Sequence, residues 1–194
     1  MGAIFQSLGR SLVAGLVILV AILAVAGTFE KMGTHQWAAF FMRYLHVLAG
    51  VMWVGLLYYF NFVQIPSMPK IPDEQKPAVG KVIAPAALFW FRWAALATVV
   101  TGLLLSMMTG SIRALATFQA PYTAIAIGMW IALVMAFNVW FIIWPNQKKA
   151  LGIVTVDAAA KAQAARVAML TSRFNTMLSI PMLYCMVAQQ NNGL

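Results

Sequence analysis

The chain has 194 residues, of which 63% are hydrophobic and 9% are charged, whereas soluble domains contain roughly 45–50% apolar residues. A soluble core of this size cannot hide so much apolar surface, so the composition excludes an ordinary water-soluble protein. The formal charge of +9 does not indicate nucleic acid binding, because the Lys and Arg residues stand mostly in short segments between apolar stretches and therefore indicate topology and lipid-headgroup contact.

Five apolar stretches are long enough, or nearly so, to cross a membrane as helices, for which about 20 residues are needed. In chain order they cover residues 12–29, 37–63, 82–108, 122–144 and 167–188. The sequence thus predicts an all-α fold, a polytopic membrane bundle of about five transmembrane helices, with a four-helix core after an N-terminal helix. Arg10 and the small-residue run Ala24-Val25-Ala26 also resemble a secretory signal, so a retained anchor and a cleaved signal both stay open.

The connections between these stretches are polar. Four prolines between residues 66 and 77 predict a structured loop after the second stretch. Pro145 is expected to end the fourth helix, because proline cannot donate to the helix ladder. An alanine-rich segment at residues 158–165 predicts an interfacial helix that leads into the last span.

We expect three parts: an N-terminal transmembrane anchor with a short outer loop (1–36), a four-helix membrane bundle (37–190) and a C-terminal tail (191–194). The side of the membrane that holds the N-terminus receives most of the basic residues, namely Arg10, Lys70, Lys76, Lys81, Lys148, Lys149, Lys161 and Arg166. The other side receives Lys31 and Arg113. The positive-inside rule then predicts a bacterial inner-membrane protein with a cytoplasmic N-terminus and a periplasmic C-terminus.

Ionisable side chains inside membrane spans are costly and therefore indicate function. The predicted spans contain Arg43, His46, Arg92 and Arg173. At about 100° per residue, the second span places His46 on one face with Arg43, Gly50 and Trp53. That face combines a potential metal ligand, a gap left by glycine and a large aromatic ring.

One interpretation of this face is a haem b site in the outer half of the membrane, with His46 as the iron ligand. In this interpretation Arg43 or Arg92 pairs with the haem propionates. Gly50 lets the porphyrin approach the backbone, and Trp53 flanks it. The alternative is ordinary helix packing, in which His46 hydrogen-bonds a neighbouring helix while Gly50 and Trp53 fill the core.

A second axial ligand would have to come from another helix. His35 lies about 16 Å along the helix from His46, so the two cannot ligate opposite faces of one haem, and His35 is expected at the membrane interface. The candidates in the outer half are Met129, Met182 and Met186, although a methionine in a core is usually a space filler.

A second polar group is predicted at the cytoplasmic end of the bundle. Its members, expected at similar depth, are Asn61, Asn138, Arg173 and Asn175. Buried polar groups must find partners, which favours an interhelical hydrogen-bond clamp. The alternative is a binding pocket for a quinone, a substrate or a lipid headgroup.

Four motifs occur in order along the chain: residues 43–55 (RYLHVLAGVMWVG), 89–93 (FWFRW), 138–147 (NVWFIIWPNQ) and 172–181 (SRFNTMLSIP). Together they resemble the membrane domain of the bacterial membrane-bound urate oxidases, the cytochrome-linked urate hydroxylases called PuuD. The resemblance covers about residues 37–190. The pattern Leu-His-x-x-Ala-x-x-x-Trp by itself is also shared with HemJ-type protoporphyrinogen oxidases and CopD-like proteins.

The resemblance implies a membrane redox protein. In that family the membrane domain is linked to a c-type cytochrome domain, which implies that electrons pass from an oxidised purine toward the respiratory chain. The present sequence lacks the Cys-x-x-Cys-His motif of a c-type haem, so we expect a urate oxidase-like oxidoreductase activity to need a partner cytochrome c or an oxidase. What carries over is the bundle and His46 as a haem-facing residue.

The alternative function is a non-catalytic accessory subunit of a larger respiratory or other membrane complex. A small transporter is less favoured, because no pair of broken helices stands in matching halves of the chain.

Overall fold

The computed structural model describes residues 2–191 and residue 193, and these residues form helices without any strand. The five long helices are α1 (Leu8–Val25), α2 (His35–Lys70), α3 (Lys76–Met108), α4 (Thr123–Ala150) and α5 (Ala158–Asn191). Short helices at Gly2–Phe5, Thr28–Lys31 and Ile112–Ala116 precede α1, α2 and α4. The all-α prediction is confirmed. Of the expected C-terminal tail, Asn191 ends α5, while Asn192 and Leu194 lie outside the described residues.

Four of the long helices, α1 to α4, are long and apolar enough to cross a membrane. The fifth predicted span lies in α5, which is 34 residues long and begins with the alanine-rich segment. This helix is less apolar than the other four. It turns some of its polar side chains inward, since Ser172, Asn175 and Ser179 are buried whereas Ile180 is exposed. Polar contacts between helices are a common device in membrane bundles, so α5 fits a bundle of this kind.

Three of the long helices contain a widened π-helical segment that ends two residues before a proline. The segments are Tyr59–Gln64 in α2, Val79–Ile83 in α3 and Asn138–Ile143 in α4, before Pro66, Pro85 and Pro145. Proline lacks an N–H for the helix ladder and its ring clashes with the carbonyl four residues earlier. A widened turn accommodates that ring. The expectation that Pro145 ends the fourth helix is therefore wrong, because α4 continues to Ala150.

The chain divides into two compact units between Phe41 and Met42, inside α2. The domain boundary expected after residue 36 lies slightly earlier in the chain. In the first unit, α1 buries none of its residues, and most of its apolar side chains are exposed. A helix that is hydrophobic all round is typical of a membrane span, so this helix fits a lipid environment.

In the second unit, the rest of α2 packs with α3, α4 and α5 around an apolar core. The largest buried side chains of this core include Trp53, Leu57, Leu88, Phe91, Met135 and Val139. The unit has two ends. At the basic end, α2 and α4 finish and α3 begins, with Lys70, Lys76, Lys148 and Lys149. At the opposite end, residues 109–122 join α3 to α4, and Gln189 of α5 donates a 2.9 Å hydrogen bond to the carbonyl of Pro121.

Candidate functional site

His46 lies on the face of α2 that contacts α3. Its Nδ1 is 2.8 Å from the carbonyl oxygen of Thr98 and 3.3 Å from Thr101 Oγ1. A carbonyl oxygen can only accept a hydrogen bond, so Nδ1 carries a proton and donates it to Thr98. It follows that the other ring nitrogen, Nε2, keeps its lone pair when the imidazole is neutral.

A glycine in α3 makes room for this imidazole. A Cβ atom at Gly102 would lie 2.8 Å from His46 Cε1 and 3.1 Å from its Nδ1, closer than side chains normally approach. The ring therefore lies directly against the backbone of α3, and a larger residue at this position would displace it. A Cβ atom at Gly50, by contrast, would lie 3.9 Å from Thr98 Cγ2, which is an ordinary contact.

The Nε2 atom of His46 is the atom of this site that can bind a metal ion. Within residues 2–191 and 193, the hydrogen bonds of His46 involve Nδ1, and the side chain is half-buried. Metal-ligating histidines almost always donate their other ring N–H to a carbonyl, a carboxylate or water. The residues present therefore fit a haem that is ligated through Nε2. Clusters of three or more His, Cys, Asp or Glu side chains, as in zinc sites, are absent from the described residues.

The other residues predicted on the His46 face have different surroundings. Arg43 is exposed, one turn before His46. Gly50 lies opposite Thr98, at the contact of α2 with α3. Trp53 is a core residue with 1% of its surface exposed, and its indole N–H has no hydrogen-bond partner in the part of the chain that the structure describes.

Arg92 and the methionine candidates lie in other contacts. The Cζ atom of Arg92 is 3.3 Å from the centre of the Trp144 ring in α4. Arg92 precedes Thr98 in α3 by about 9 Å of helix rise, so the structure brings Arg92 to Trp144 and not to His46. Met182 and Met186 pack where α5 approaches Gly128 of α4: a Cβ atom there would lie 3.3 Å from the Met182 carbonyl and 3.5 Å from Met186 Cε. Met129 is half-buried in α4, and His35, the first residue of α2, is exposed.

Three of the four residues in the second predicted group meet inside the second unit, in what we call the polar network. Asn175 of α5 donates to the carbonyl of Met135 at 2.9 Å and accepts a 2.8 Å hydrogen bond from Asn138 Nδ2. One turn earlier, Ser172 accepts a 2.8 Å hydrogen bond from Asn61 Nδ2. Arg173 is exposed, because it follows Ser172 directly and so lies about 100° further round the helix.

Sequence reasoning did not single out three further residues of this network, namely Ser172, Tyr58 and Ser179. The hydroxyl groups of Tyr58 and Ser179 are 2.9 Å apart, and Ser179 is fully buried. Ser172, Asn175 and Ser179 follow one another at steps of three and four residues, a spacing that places them on one face of α5. That spacing is a signal in the sequence, and it could have predicted this side of the network.

The comparisons with known proteins bear on the C-terminal half of the chain. Residues 105–192 match the sequence model described as urate oxidase N-terminal. This segment is similar to the urate oxidase N-terminal family. The match covers somewhat less than half of the chain and confirms the predicted family resemblance there. Searches of curated proteins and of solved structures gave no match.

The urate oxidase N-terminal segment contains two of the four motifs, residues 138–147 and 172–181. It therefore includes Asn138 and Asn175, whose side chains are joined by a hydrogen bond in the polar network. The motif around His46 precedes the matched segment. The interpretation of His46 accordingly depends on its own geometry against α3.

Proposed function

We propose that this urate oxidase-like membrane domain is a redox protein in which His46 ligates a b-type haem through Nε2. Electrons would pass from this haem to a c-type cytochrome or an oxidase. The observation that carries the proposal is the 2.8 Å hydrogen bond from His46 Nδ1 to the Thr98 carbonyl, which leaves Nε2 available. A haem with a histidine ligand supplies one-electron chemistry when it is bound.

The residues around His46 would act on the imidazole itself. Donation from Nδ1–H to the Thr98 carbonyl fixes the tautomer and the ring orientation, and it raises the basicity of Nε2 as a ligand. Gly102 lets the ring lie against α3, so the helix backbone limits its rotation. Thr101 Oγ1, 3.3 Å from Nδ1, is a second polar contact on the same side of the ring.

A haem at this position also needs partners for its propionate groups. Arg43 is exposed on α2, one turn from His46, and it is the guanidinium that we propose for this role. Arg92, whose guanidinium lies over Trp144, is the less suitable of the two predicted arginines. We further propose that the basic end faces the cytoplasm of a bacterial inner membrane, as the distribution of Lys and Arg favours.

A second candidate function is that of a non-catalytic accessory subunit in a larger membrane complex. It is supported by the large aromatic surface that α3 leaves open, where Phe89 is 48%, Trp90 57% and Trp93 47% exposed. Aromatic side chains of this size are enriched where protein meets protein, although lipid would cover them as well. Co-purification with stoichiometric partners and no bound haem would favour this candidate.

The test is an absorption spectrum of the detergent-purified protein in its oxidised and reduced forms. We expect a Soret band and an alpha band in the difference spectrum, and their loss in His46→Ala. His35→Ala is the matched control, since it removes the other histidine of the chain, which is exposed at the start of α2. A colourless wild-type protein, or a His46→Ala variant with an unchanged spectrum, would contradict the proposal.

A further inference from the structure

The second unit carries a cation without a counter-charge in the membrane. Arg92 belongs to α3, a helix long and apolar enough to cross a membrane. Its Nε atom is buried and has no hydrogen-bond partner among residues 2–191 and 193. A buried donor left unpaired is costly, and so is an unbalanced charge at membrane depth. Arg92 therefore needs an acceptor.

The chain itself offers no carboxylate for this purpose. Its acidic residues are Glu30, Asp73, Glu74 and Asp157, all outside the spanning helices. Over the described ranges, the ion pair that forms joins Asp73 to Lys76, in the connection between α2 and α3. An acceptor from outside the chain would satisfy the Nε–H of Arg92, and a negatively charged one would also balance the guanidinium.

A second cation lies near the same Trp144 ring. The guanidinium Cζ of Arg92 lies 3.3 Å from the centre of the Trp144 ring, and Lys148 Nζ lies 5.6 Å from it. Cation–π attraction holds both groups near the indole but does not neutralise them. Two positive charges thus converge on one aromatic ring, and this arrangement suits an anion with several oxygen atoms.

The depth of this site indicates which anion is available. The rings of Trp93 and Trp140 meet with centroids 5.6 Å apart, which sets the level of α3 against α4. Arg92, beside Trp93, reaches Trp144, which lies one turn closer to the basic end. The side chain therefore extends toward the end of the bundle, as arginines near membrane interfaces do. Helix α4 ends at Ala150, roughly 9 Å beyond Trp144, so Trp144 and Lys148 lie on the headgroup side of the site.

We propose that Arg92, Trp144 and Lys148 bind the phosphate of an anionic phospholipid. The guanidinium of Arg92, with its unpaired Nε–H, donates to the phosphate oxygens, and Lys148 supplies the second charge. Trp144 holds both cations in position. The exposed rings of Trp90 and Trp93 on the same helix offer an apolar surface for the acyl chains, which favours a lipid over free phosphate. This inference does not depend on the haem.

The test is native mass spectrometry of the detergent-purified chain with phosphatidylglycerol or phosphatidylcholine. We expect the wild-type protein to retain phosphatidylglycerol in preference to phosphatidylcholine. Arg92→Gln should weaken phosphatidylglycerol retention about fivefold, since one basic residue near the headgroups contributes about that factor. Arg113→Gln, an exposed arginine in the short helix at the opposite end, is the matched control and should retain the lipid as the wild type does.

Two further measurements distinguish weaker lipid binding from misfolding, and a lipid site from a site for free phosphate. Circular dichroism and gel filtration show whether Arg92→Gln is folded; if it is not, Lys148→Gln should show a loss in the same direction. Inorganic phosphate in excess is added as a competitor. Equal retention of both lipids, unchanged binding in the folded Arg92→Gln and Lys148→Gln variants, or displacement of the lipid by inorganic phosphate would overturn the proposal.

Discussion

The Nδ1 atom of His46 donates a 2.8 Å hydrogen bond to the carbonyl of Thr98, and this contact joins α2 to α3 at the level of a glycine. The backbone of a neighbouring helix thereby orients the imidazole. Mutation of a side chain cannot directly remove this backbone carbonyl. Gly102 is the position through which the orientation can be changed, because the ring lies against its Cα.

The first prediction concerns Gly102. In Gly102→Ala the new methyl group would lie 2.8 Å from His46 Cε1, so the ring or the helix must move. We expect a loss of about 1–3 kcal/mol in the free energy of unfolding in mixed micelles, together with a weaker haem spectrum. Gly55→Ala on the facing helix is the control, since no heavy atom lies within 4 Å of its added Cβ atom. Equal stability and equal spectra in the two variants would show that the close packing at Gly102 is not as described.

The second prediction concerns the polar network. Asn175→Ala removes the hydrogen bonds to the Met135 carbonyl and to Asn138, and it leaves the side-chain amide of Asn138 without this acceptor. Hydrogen bonds between membrane helices average about 0.6 kcal/mol, so we expect a loss of about 1–2 kcal/mol in unfolding free energy. A double-mutant cycle with Asn138→Ala should show a positive coupling energy. Asn191→Ala, an exposed residue with a bond inside its own helix, serves as control, and additive effects of the two core substitutions would argue against the contact.

The third prediction concerns the contact of α4 with α5. A Cβ atom at Gly128 would lie 3.1 Å from Cys185 Cβ and 3.3 Å from the Met182 carbonyl, so the two backbones approach closely there. Gly128→Ala should therefore lower the thermal midpoint of the purified protein. Gly55→Ala is a suitable control, because no heavy atom lies within 4 Å of its added Cβ. An unchanged midpoint for Gly128→Ala would mean that α5 can shift away at little cost.

The fourth prediction concerns the connection between α2 and α3. Lys76 donates a 2.6 Å hydrogen bond to Asp73, and this bond, followed by the lysine charge, lowers the pKa of Asp73 from its ordinary 3.8. A lowered carboxyl pKa stabilises the folded protein above the ordinary pKa, and the contribution disappears as the pH falls through the lowered value. Lys76→Gln should raise the pKa of Asp73 toward 3.8, whereas Lys70→Gln should leave it unchanged, as measured by carboxyl NMR.

The helix pattern was predictable because apolar length alone determines which segments can span lipid. For the second span, apolar length predicted a helix, and the structure has one from His35 to Lys70. The helical period in addition placed His46 and Trp53 on one face of it. The π-helical segments were not predictable in this way. Proline at position 145 indicated a helix end. Only the structure shows that a widened turn at Asn138–Ile143 lets the helix continue.

The candidate site was predictable only in part, for a similar reason. The second group was identified from depth alone, and depth does not distinguish Asn175 from its near neighbour Arg173, which the helix turns outward. The partners of His46 lie in α3, and they are a carbonyl group and a glycine. Neither leaves a specific pattern, because every residue has a carbonyl and small residues are frequent at contacts between membrane helices.

The most direct test of the central claim is ligand rescue at position 46. His46→Gly removes the imidazole and leaves space for a free imidazole molecule against Gly102. The account predicts that the purified variant lacks the haem spectrum of the wild type and regains it when haem and imidazole are added together. A variant that keeps the wild-type spectrum without imidazole would contradict the assignment of His46 as the haem ligand.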